Sequence, residues 1–314
     1  MCYKKNLIAI IYLILVLSIS YCEDIYLNEL NKAIELYDDG DFTNSLNILK
    51  ELEKSEIKDK RLSYYLGQNY FEQSQFSIAE MYYKEAIEID AEYPDPYIEL
   101  STIKINQRKT EEAHEYVKKA LKLNPNSATA HLNYSSVLTL LGKDAESKKE
   151  IYKAAKLDPM LVMSHGMQFT MYYNEHNAAL YYLNIVEELY PAEPLVLLNK
   201  GHVLKIIGEA KTASEYYKYA YKYLTKKHPA FGVIWSTYFR DLFNSGKYDD
   251  IVNNLLEKVN TKYPSVYYFL ALINYKKNKI KEFNNSALEY FKLEKKEVPE
   301  DLNKWAEENT KIKK

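Results

Sequence analysis

Cysteine is nearly absent from this sequence. Its two cysteines, Cys2 and Cys22, both lie within the first 22 residues, so the rest of the chain has neither an internal disulfide nor a thiol nucleophile. Glycine (8 residues) and proline (9 residues) are scarce among 314 residues. Because both disfavour helix interiors, their scarcity favours a helical chain. The 42 basic and 44 acidic residues nearly balance, which gives no indication of a nucleic-acid partner.

Common catalytic and metal-binding motifs are also missing from the sequence. It contains no HExxH, GxSxG, P-loop or GxGxxG pattern. His165 and His176 are at a spacing that lets them share a helix face, but no carboxylate or cysteine is placed to complete a metal site. We therefore predict no catalytic residue, no metal site and no cofactor, and we expect a protein that is not an enzyme.

The first 22 residues differ in character from the rest of the chain. Lys4 and Lys5 precede an apolar run from residue 7 to residue 19. This run is shorter than the roughly 20 residues that a membrane-spanning helix needs, so we predict a secretory signal peptide over residues 1–21 and an exported protein. An uncleaved membrane anchor is the alternative.

Cys22 suggests how the exported chain is attached to the membrane. The segment Ile19-Ser20-Tyr21-Cys22 resembles a bacterial lipobox, in which the cysteine is lipidated and becomes the mature N-terminus. Tyr21 departs from that pattern, because Gly, Ala or Ser normally precedes the cysteine. Ordinary cleavage after Ser20 is the alternative. We favour lipidation at Cys22 and expect a protein that is periplasmic or lipid-anchored in the bacterial envelope and meets the membrane only through its N-terminus.

A repeat organises the remaining sequence. The prolines recur at intervals of 31 to 35 residues, at Pro94/Pro96, Pro125, Pro159, Pro191/Pro194, Pro229, Pro264 and Pro299. Because proline cannot continue a helix, this spacing predicts a series of helical units of equal length.

The clearest unit spans residues 60–93. It carries, at fixed places, Leu66, Gly67, Tyr70, Phe76, Ala79, Tyr83 and Ala86. Apart from a leading Trp and a closing Pro, this matches the tetratricopeptide-repeat signature W-x2-L-G-x2-Y…A-x3-F…P. The chain resembles tetratricopeptide-repeat (TPR) proteins over about residues 26–297.

The resemblance implies an all-α fold, a right-handed α-α superhelical solenoid of about eight TPR-like helix pairs followed by a capping helix over residues 299–314. The predicted units are 26–59, 60–93, 94–127, 128–161, 162–193, 194–227, 232–265 and 264–297. Small residues at the eighth, twentieth and twenty-seventh places let helices approach closely. Large residues at the eleventh, seventeenth and twenty-fourth places are expected to fill the space between helices. Gly40, Gly142, Gly208 and Gly246 fall at the fifteenth place, where a left-handed residue ends the first helix.

Candidate binding residues follow from the same resemblance. In TPR solenoids the first helices build the inner, concave surface, chiefly through their second, fifth, sixth, ninth and twelfth positions. These positions give Arg61, Glu99, Thr102, Arg240 and the set that we predict to bind a peptide: Asn31, Tyr64, Tyr65, Gln68, Asn133, Ser136, Asn199, His202 and Lys205. We expect the tyrosines to act as anchors, the amides of Gln68, Asn133 and Asn199 to pair with a peptide backbone, and His202 with Lys205 to meet an acidic group.

Two binding modes of the family can be compared with this set. TPR domains that bind chaperone tails hold a carboxylate with Lys, Asn and Arg from three successive units, and no three successive units here supply that combination. Other TPR arrays carry Asn at the sixth place of every unit. Here Asn31, Asn133 and Asn199 occupy that place, but the other units do not.

An export signal followed by repeats predicts a protein- or peptide-binding scaffold or adaptor in the bacterial cell envelope, similar to exported bacterial TPR lipoproteins. The expected partner is a protein or peptide and not a nucleic acid. One alternative is an accessory arm of an envelope enzyme complex. Another is a membrane-tethered cytoplasmic adaptor, against which Lys4 and Lys5 argue, because positive residues stay inside and direct the following chain outward.

Overall fold

The structure is a computed structural model that describes residues 24–55, 57–225, 227–251 and 264–294. Within these ranges every regular element is an α-helix, which confirms the predicted all-α fold. In the same ranges, no helix combines the length and the apolar composition needed to span a bilayer. The predicted signal peptide, the lipidation site Cys22 and the predicted capping helix over 299–314 lie outside the described residues.

The chain divides into two compact units, Met1–Val162 and Met163–Lys314. The first contains α1 (residues 24–38), α2 (Phe42–Glu53), α3 (Lys60–Glu72), α4 (Phe76–Ile89), α5 (Asp95–Asn106), α6 (Thr110–Leu123), α7 (Ala128–Leu140), α8 (Asp144–Leu157) and the start of α9 (Pro159–Tyr173). The second contains the rest of α9, α10 (His176–Leu189), α11 (Pro194–Ile206), α12 (Ala210–Tyr223), α13 (Phe231–Asn244), α14 (described from 248 to 251), α15 (Pro264–Lys276) and α16 (Ile280–Glu294).

Each unit is an array of paired neighbouring helices. In the first unit α3 packs on α4, α5 on α6, and α7 on α8, and the second helices α2, α4 and α6 also contact the first helix of the following pair. The second unit repeats this arrangement with α11 on α12 and α15 on α16. The helix-pair pattern predicted from the proline spacing is therefore present in both units.

Residues in the left-handed backbone conformation mark the turns inside the pairs. The four glycines predicted for these turns all have positive φ: 82° at Gly40, 72° at Gly142, 89° at Gly208 and 72° at Gly246. Four further turns place Ser74, Arg108, Asn174 and Asn278 in the same conformation, with φ between 55° and 60°. The prediction for the glycines is confirmed, and the other turns use side chains that carry a steric cost there.

Small residues bring the two helices of a pair together, as predicted. A Cβ added to Gly67 would lie 2.6 Å from the ring of Tyr83, and one added to Gly201 would lie 2.5 Å from the ring of Tyr217. Both tyrosines are almost completely buried, with 0% and 1% of their surface exposed. The alanines at the twentieth and twenty-seventh places are fully buried as well, namely Ala79, Ala86, Ala113, Ala120, Ala213 and Ala220.

One expectation about packing is wrong. Phe76, at the seventeenth place of its unit, is 40% exposed and does not fill the space between helices. The reason is its position as the first residue of α4, directly after the turn, where the neighbouring helix covers it only on one side. Phe71 contacts its ring edge-on at a centroid distance of 5.3 Å.

Candidate functional site

The first helices of the pairs in the first unit lie side by side. The ring of Tyr37 on α1 contacts that of Tyr65 on α3 at 5.6 Å. The side-chain amide of Gln68 on α3 donates to Glu99 Oε1 on α5 at 3.3 Å, and α5 packs directly on α7. Helices α1, α3, α5 and α7 thus share one surface, which we call the first-helix face.

Tyrosine rings form a connected group on this face. Tyr65 meets Tyr37 at 5.6 Å and Tyr64 at 5.2 Å, both edge-on, and Tyr64 meets Tyr93 at 5.4 Å. Tyr83 on α4 lies beneath them, 5.9 Å from Tyr64. The four upper rings are partly exposed, whereas Tyr83 is buried. The result is a rigid aromatic surface with part of its area in contact with water.

Carboxylates from two helices accompany the rings. The Tyr37 hydroxyl donates to Glu72 Oε1 at 3.5 Å, while Asp95 and Glu99 lie on α5. The described part of the chain offers none of these carboxylates an ion-pair partner. We call Tyr37, Tyr64, Tyr65 and Tyr93 with Glu72, Asp95 and Glu99 the tyrosine–carboxylate cluster.

Burial and mutual repulsion shift the ionisation of this cluster. Burial, with smaller contributions from the charges of Asp95 and Glu72, raises the pKa of Glu99 to about 7 against the opposing hydrogen bond from Gln68. Burial also raises the pKa of Asp95. At Tyr64, burial and the nearby Glu99 carboxylate raise the pKa far above its ordinary value. The cluster therefore holds negative charge that the protein solvates poorly.

Two basic side chains lie at one edge of the cluster, and both have acidic partners. Lys60 Nζ is 2.5 Å from Asp90 Oδ2 and lies 5.1 Å from the centre of the Tyr93 ring. Arg61 pairs with Asp59 at 3.4 Å. Both belong to the first turn of α3. Their charges are countered by other acids, so an excess of negative charge remains on the cluster.

Three of the predicted binding residues, Tyr64, Tyr65 and Gln68, come together here. The Gln68 amide nitrogen donates to the Tyr64 hydroxyl and to Glu99, and its carbonyl oxygen accepts from the Tyr83 hydroxyl at 3.2 Å. Both ends of the amide are thus engaged within the protein. Gln68 holds the cluster together in this structure, and the backbone-pairing role expected of it would require these bonds to break.

Asn133 and Ser136 lie on α7, further along the same face. The Asn133 amide nitrogen donates to the Ile98 carbonyl oxygen at 3.2 Å and to Thr102 Oγ1 at 2.8 Å. Because a carbonyl oxygen only accepts, these bonds fix the orientation of the amide and leave its oxygen for a ligand. Ser136 Oγ bonds to a carbonyl of its own helix at 3.2 Å. We expected Asn133 to bind both the N–H and the C=O of a peptide backbone. In this structure only its side-chain oxygen is available, and it can accept a hydrogen bond from a backbone N–H.

The remaining predicted residues are not joined to the cluster. Asn31 is exposed on α1, and no hydrogen bond or ring contact within the described residues connects it to the tyrosines. Asn199 belongs to the second unit, where its amide nitrogen lies 3.1 Å from Met163 Sδ. The sixth-place asparagines thus have three different environments and form no ladder.

His202 and Lys205 lie on α11 of the second unit. Lys205 Nζ is 3.6 Å from Asp241 Oδ1, so its charge is already countered. Burial, and then the charge of Lys205, lower the pKa of His202, which keeps the ring neutral near pH 7. The ring packs edge-on against Tyr217 at 5.5 Å. This environment does not supply the positive patch for an acidic group that we expected from the sequence.

Several residues of the cluster were missed by the sequence analysis. Tyr37 and Asp95 occupy the twelfth and second places of their units, so the positional rule that selected Tyr64 also points to them. Tyr93 lies in the turn before Pro94, outside any first helix, and the rule cannot find it. Glu72 follows the twelfth place by one residue. Its proximity to Tyr37 depends on how α1 and α3 pack.

A comparison with known families agrees with this architecture. Residues 99–159 match the family model described as Tetratricopeptide repeat. The matched stretch covers most of α5 and all of α6, α7 and α8, which are two successive helix pairs of the first unit. The chain contains tetratricopeptide repeats.

Solved structures similar to this TPR chain are distant. One is pilF of Pseudomonas aeruginosa, with 15% identity, a TM-score of 0.45 and coverage of 68% of this chain and 98% of its own. Another is TTC0263, a thermophilic TPR protein in Thermus thermophilus, with 17% identity, a TM-score of 0.42 and coverage of 69% and 99%. MamA is 15% identical, with a TM-score of 0.37 and coverage of 61% and 93%. No curated protein matches the sequence.

Proposed function

We propose that this TPR chain is a protein-binding scaffold and that its first unit holds a protein or peptide partner on the first-helix face. The tyrosine–carboxylate cluster carries the proposal. Tyrosine combines a large rigid ring with a hydroxyl that can hydrogen-bond, and such side chains frequently anchor protein interfaces. Here four partly exposed rings touch one another on the surface formed by α1, α3 and α5.

Tyr64 and Tyr65 pack against the core on one side and remain partly exposed on the other. The core between the helices is filled by other side chains of the same helices, such as Leu62, Leu66 and Leu100, which are at most 4% exposed. The cluster tyrosines keep part of their apolar surface in water. Covering that surface with a partner releases roughly 25 cal/mol for each Å² buried. The rings are also ordered by their mutual contacts, so less side-chain entropy is lost on binding.

Site-specific photo-crosslinking in cells tests this proposal. A photoreactive phenylalanine analogue replaces Tyr65 on the first-helix face in one strain and Lys118, exposed on α6, in another. We expect a discrete crosslinked partner from position 65 and none from position 118. Crosslinks from position 118 alone would place the binding surface on the second helices and contradict the proposal.

We further propose that the protein works in the cell envelope. Lys4, Lys5 and the apolar run from residue 7 to residue 19 support export, and Cys22 at the end of the signal supports a lipid anchor. Mass spectrometry of the chain purified from its native cells should find a mature N-terminus at Cys22 carrying acyl groups. A chain that begins at Met1 would contradict cleavage of the signal peptide, and an unmodified Cys22 would contradict the lipid anchor.

A further inference from the structure

We propose that the tyrosine–carboxylate cluster binds the cationic end of a lysine or arginine side chain from the partner. The positive group would lie against the tyrosine rings and be paired with Asp95 and Glu99. This inference rests on the proposed protein-binding function and names the chemistry of the anchor that the first-helix face accepts.

The cluster contains three carboxylates, which would attract a positively charged group. The charges of Asp95 and Glu72 add to the effect of burial in raising the pKa of Glu99, and Gln68 is the donor that reaches Glu99. An amide donor offsets only part of a carboxylate's desolvation. An incoming ammonium or guanidinium group would supply the missing positive charge and further hydrogen-bond donors. A carboxylate ligand, such as a peptide C-terminus, would be repelled.

The aromatic rings provide a second and independent argument. Cations are attracted to the faces of tyrosine rings within about 6 Å of the centroid. The chain itself shows this geometry at the edge of the cluster, where Lys60 Nζ lies 5.1 Å from the centre of the Tyr93 ring. It occurs again in the second unit, where Lys200 Nζ lies 4.6 Å from the Tyr216 ring. The rings can therefore accept an ammonium group in a geometry that this protein already uses.

A metal ion fits the cluster less well than an organic cation. In the described residues no three His, Cys, Asp or Glu side chains are grouped so that they could hold a metal ion. The carboxylates of the cluster are separated by tyrosine rings and by the Gln68 amide. A long side chain with a diffuse positive group can pass between the rings and still reach the acids, because both the ammonium and the guanidinium carry several donors.

Binding of a cation should depend on pH, because Glu99 must be ionised to form the pair. The groups that face its carboxyl are Tyr37 from α1, Gln68 and Tyr64 from α3, Tyr83 from α4 and Asp95 from its own helix, with Glu72 nearby. Lys60 and Arg61 are paired elsewhere. With the pKa of Glu99 at about 7, lowering the pH from about 8 to about 6 should weaken binding up to about tenfold.

The probes for the test are blocked amino acids, Nα-acetyl-lysine methylamide and Nα-acetyl-arginine methylamide, with the norleucine analogue as an uncharged control. Each is titrated into the full chain in nonionic detergent, and dissociation constants are read from tyrosine ring resonances by NMR. We expect millimolar binding of lysine or arginine at pH 8, no saturable binding of norleucine, and no competition by Mg²⁺.

Matched variants then locate the site. Glu99→Gln should weaken lysine binding about tenfold at pH 8 and remove its pH dependence, while Glu115→Gln, exposed on α6, should change neither. Thermal melts confirm that both variants fold. Equal binding of norleucine and lysine, unchanged affinity in Glu99→Gln, or displacement of lysine by Mg²⁺ would overturn the proposal. A crosslinked partner at position 65 that binds Glu99→Gln normally would refute the cationic anchor alone and leave the scaffold function intact.

Discussion

The carboxyl group of Glu99 links the stability of the first unit to pH. In the folded chain its pKa is about 7, compared with an ordinary value of 4.5. Between these two values the folded state keeps a proton that the unfolded state has already released. Stability therefore falls as the pH rises from about 4.5 to about 7, and above that range the loss is complete. Asp95, whose pKa is also raised by burial, acts in the same direction.

Glu99→Gln isolates this effect, because glutamine resembles the protonated carboxyl group. At pH 8 the variant should raise the free energy of unfolding by at most about 3 kcal/mol, and near pH 5 the difference should fall below about 1 kcal/mol. Denaturant unfolding at the two pH values measures both quantities, with Glu115→Gln as the exposed control. If the variant is less stable than the parent at pH 8, or if its free energy of unfolding differs from the parent's by the same amount at both pH values, Glu99 is not held in an unfavourable charged state.

Individual residues of the cluster were predictable only in part. Position within the first helix was enough to select Tyr64, Tyr65 and Gln68, because a repeat fixes which places face outward. Position could not reveal that both the nitrogen and the oxygen of the Gln68 amide are hydrogen-bonded within the protein, because their partners Glu99 and Tyr83 come from other helices. The same applies to Lys205, whose charge is countered by an acid on α13.

Among the elements, the turns inside the helix pairs offer a direct comparison of residue types in one conformation. Arg108 and Gly142 occupy equivalent left-handed positions, with φ of 57° and 72°, in successive repeats. Glycine adopts this conformation without the steric cost that a Cβ imposes. The described contacts of Arg108 include no ion pair or side-chain hydrogen bond, so its substitution tests the backbone alone.

Arg108→Gly should therefore raise the free energy of unfolding by about 0.5 to 1 kcal/mol, whereas Gly142→Ala should lower it by about 1 kcal/mol. No atom lies within 4 Å of a Cβ added at Gly142. The loss of stability would therefore come from the backbone conformation and not from a steric clash. Thermal unfolding of the two variants beside the parent gives the comparison. Shifts of the same sign in both would contradict the assignment of a shared left-handed turn.

Close packing between helices can be tested at Ala86, which is fully buried at the twenty-seventh place of its unit. Ala86→Leu should overpack this contact and cost about 1 to 3 kcal/mol. Ala145→Leu, exposed on α8, is the matched control and should change stability little. If both substitutions leave the thermal midpoint unchanged, Ala86 does not lie at a tight helix contact.

Proline and glycine coincide with helix boundaries at Pro159, which opens α9, and at Gly142, which lies in the turn after α7. Ser74 and Arg108 carry no such signal, because neither residue type favours the left-handed region. Phe76 was misplaced for a related reason. Its size suggested a core position, but the first residue after a turn is covered on one side only.

For the whole molecule, the spacing of the prolines predicted a series of helical units, because one residue type interrupts helices at intervals of 31 to 35 residues. The resemblance to TPR proteins implied the all-α solenoid. The division into two compact units after residue 162 falls beside the predicted boundary between the fourth and fifth repeats, but nothing in the sequence distinguishes that boundary from those between the other repeats. The cationic anchor that we propose for the first-helix face could not be inferred from the sequence either. It depends on carboxylates from two helices that become neighbours only when the repeats pack.

The measurement that bears most directly on the account is the affinity of the crosslinked partner for surface variants of the full chain. Tyr65→Ala and Tyr93→Ala remove rings from the first-helix face, while Tyr219→Ala removes an exposed ring from the second helix α12 and Lys118→Ala changes the exposed surface of α6. The account predicts that each of the first pair weakens binding about tenfold or more and that neither of the second pair does. Equal losses from both pairs, or a loss from the second pair alone, would contradict it.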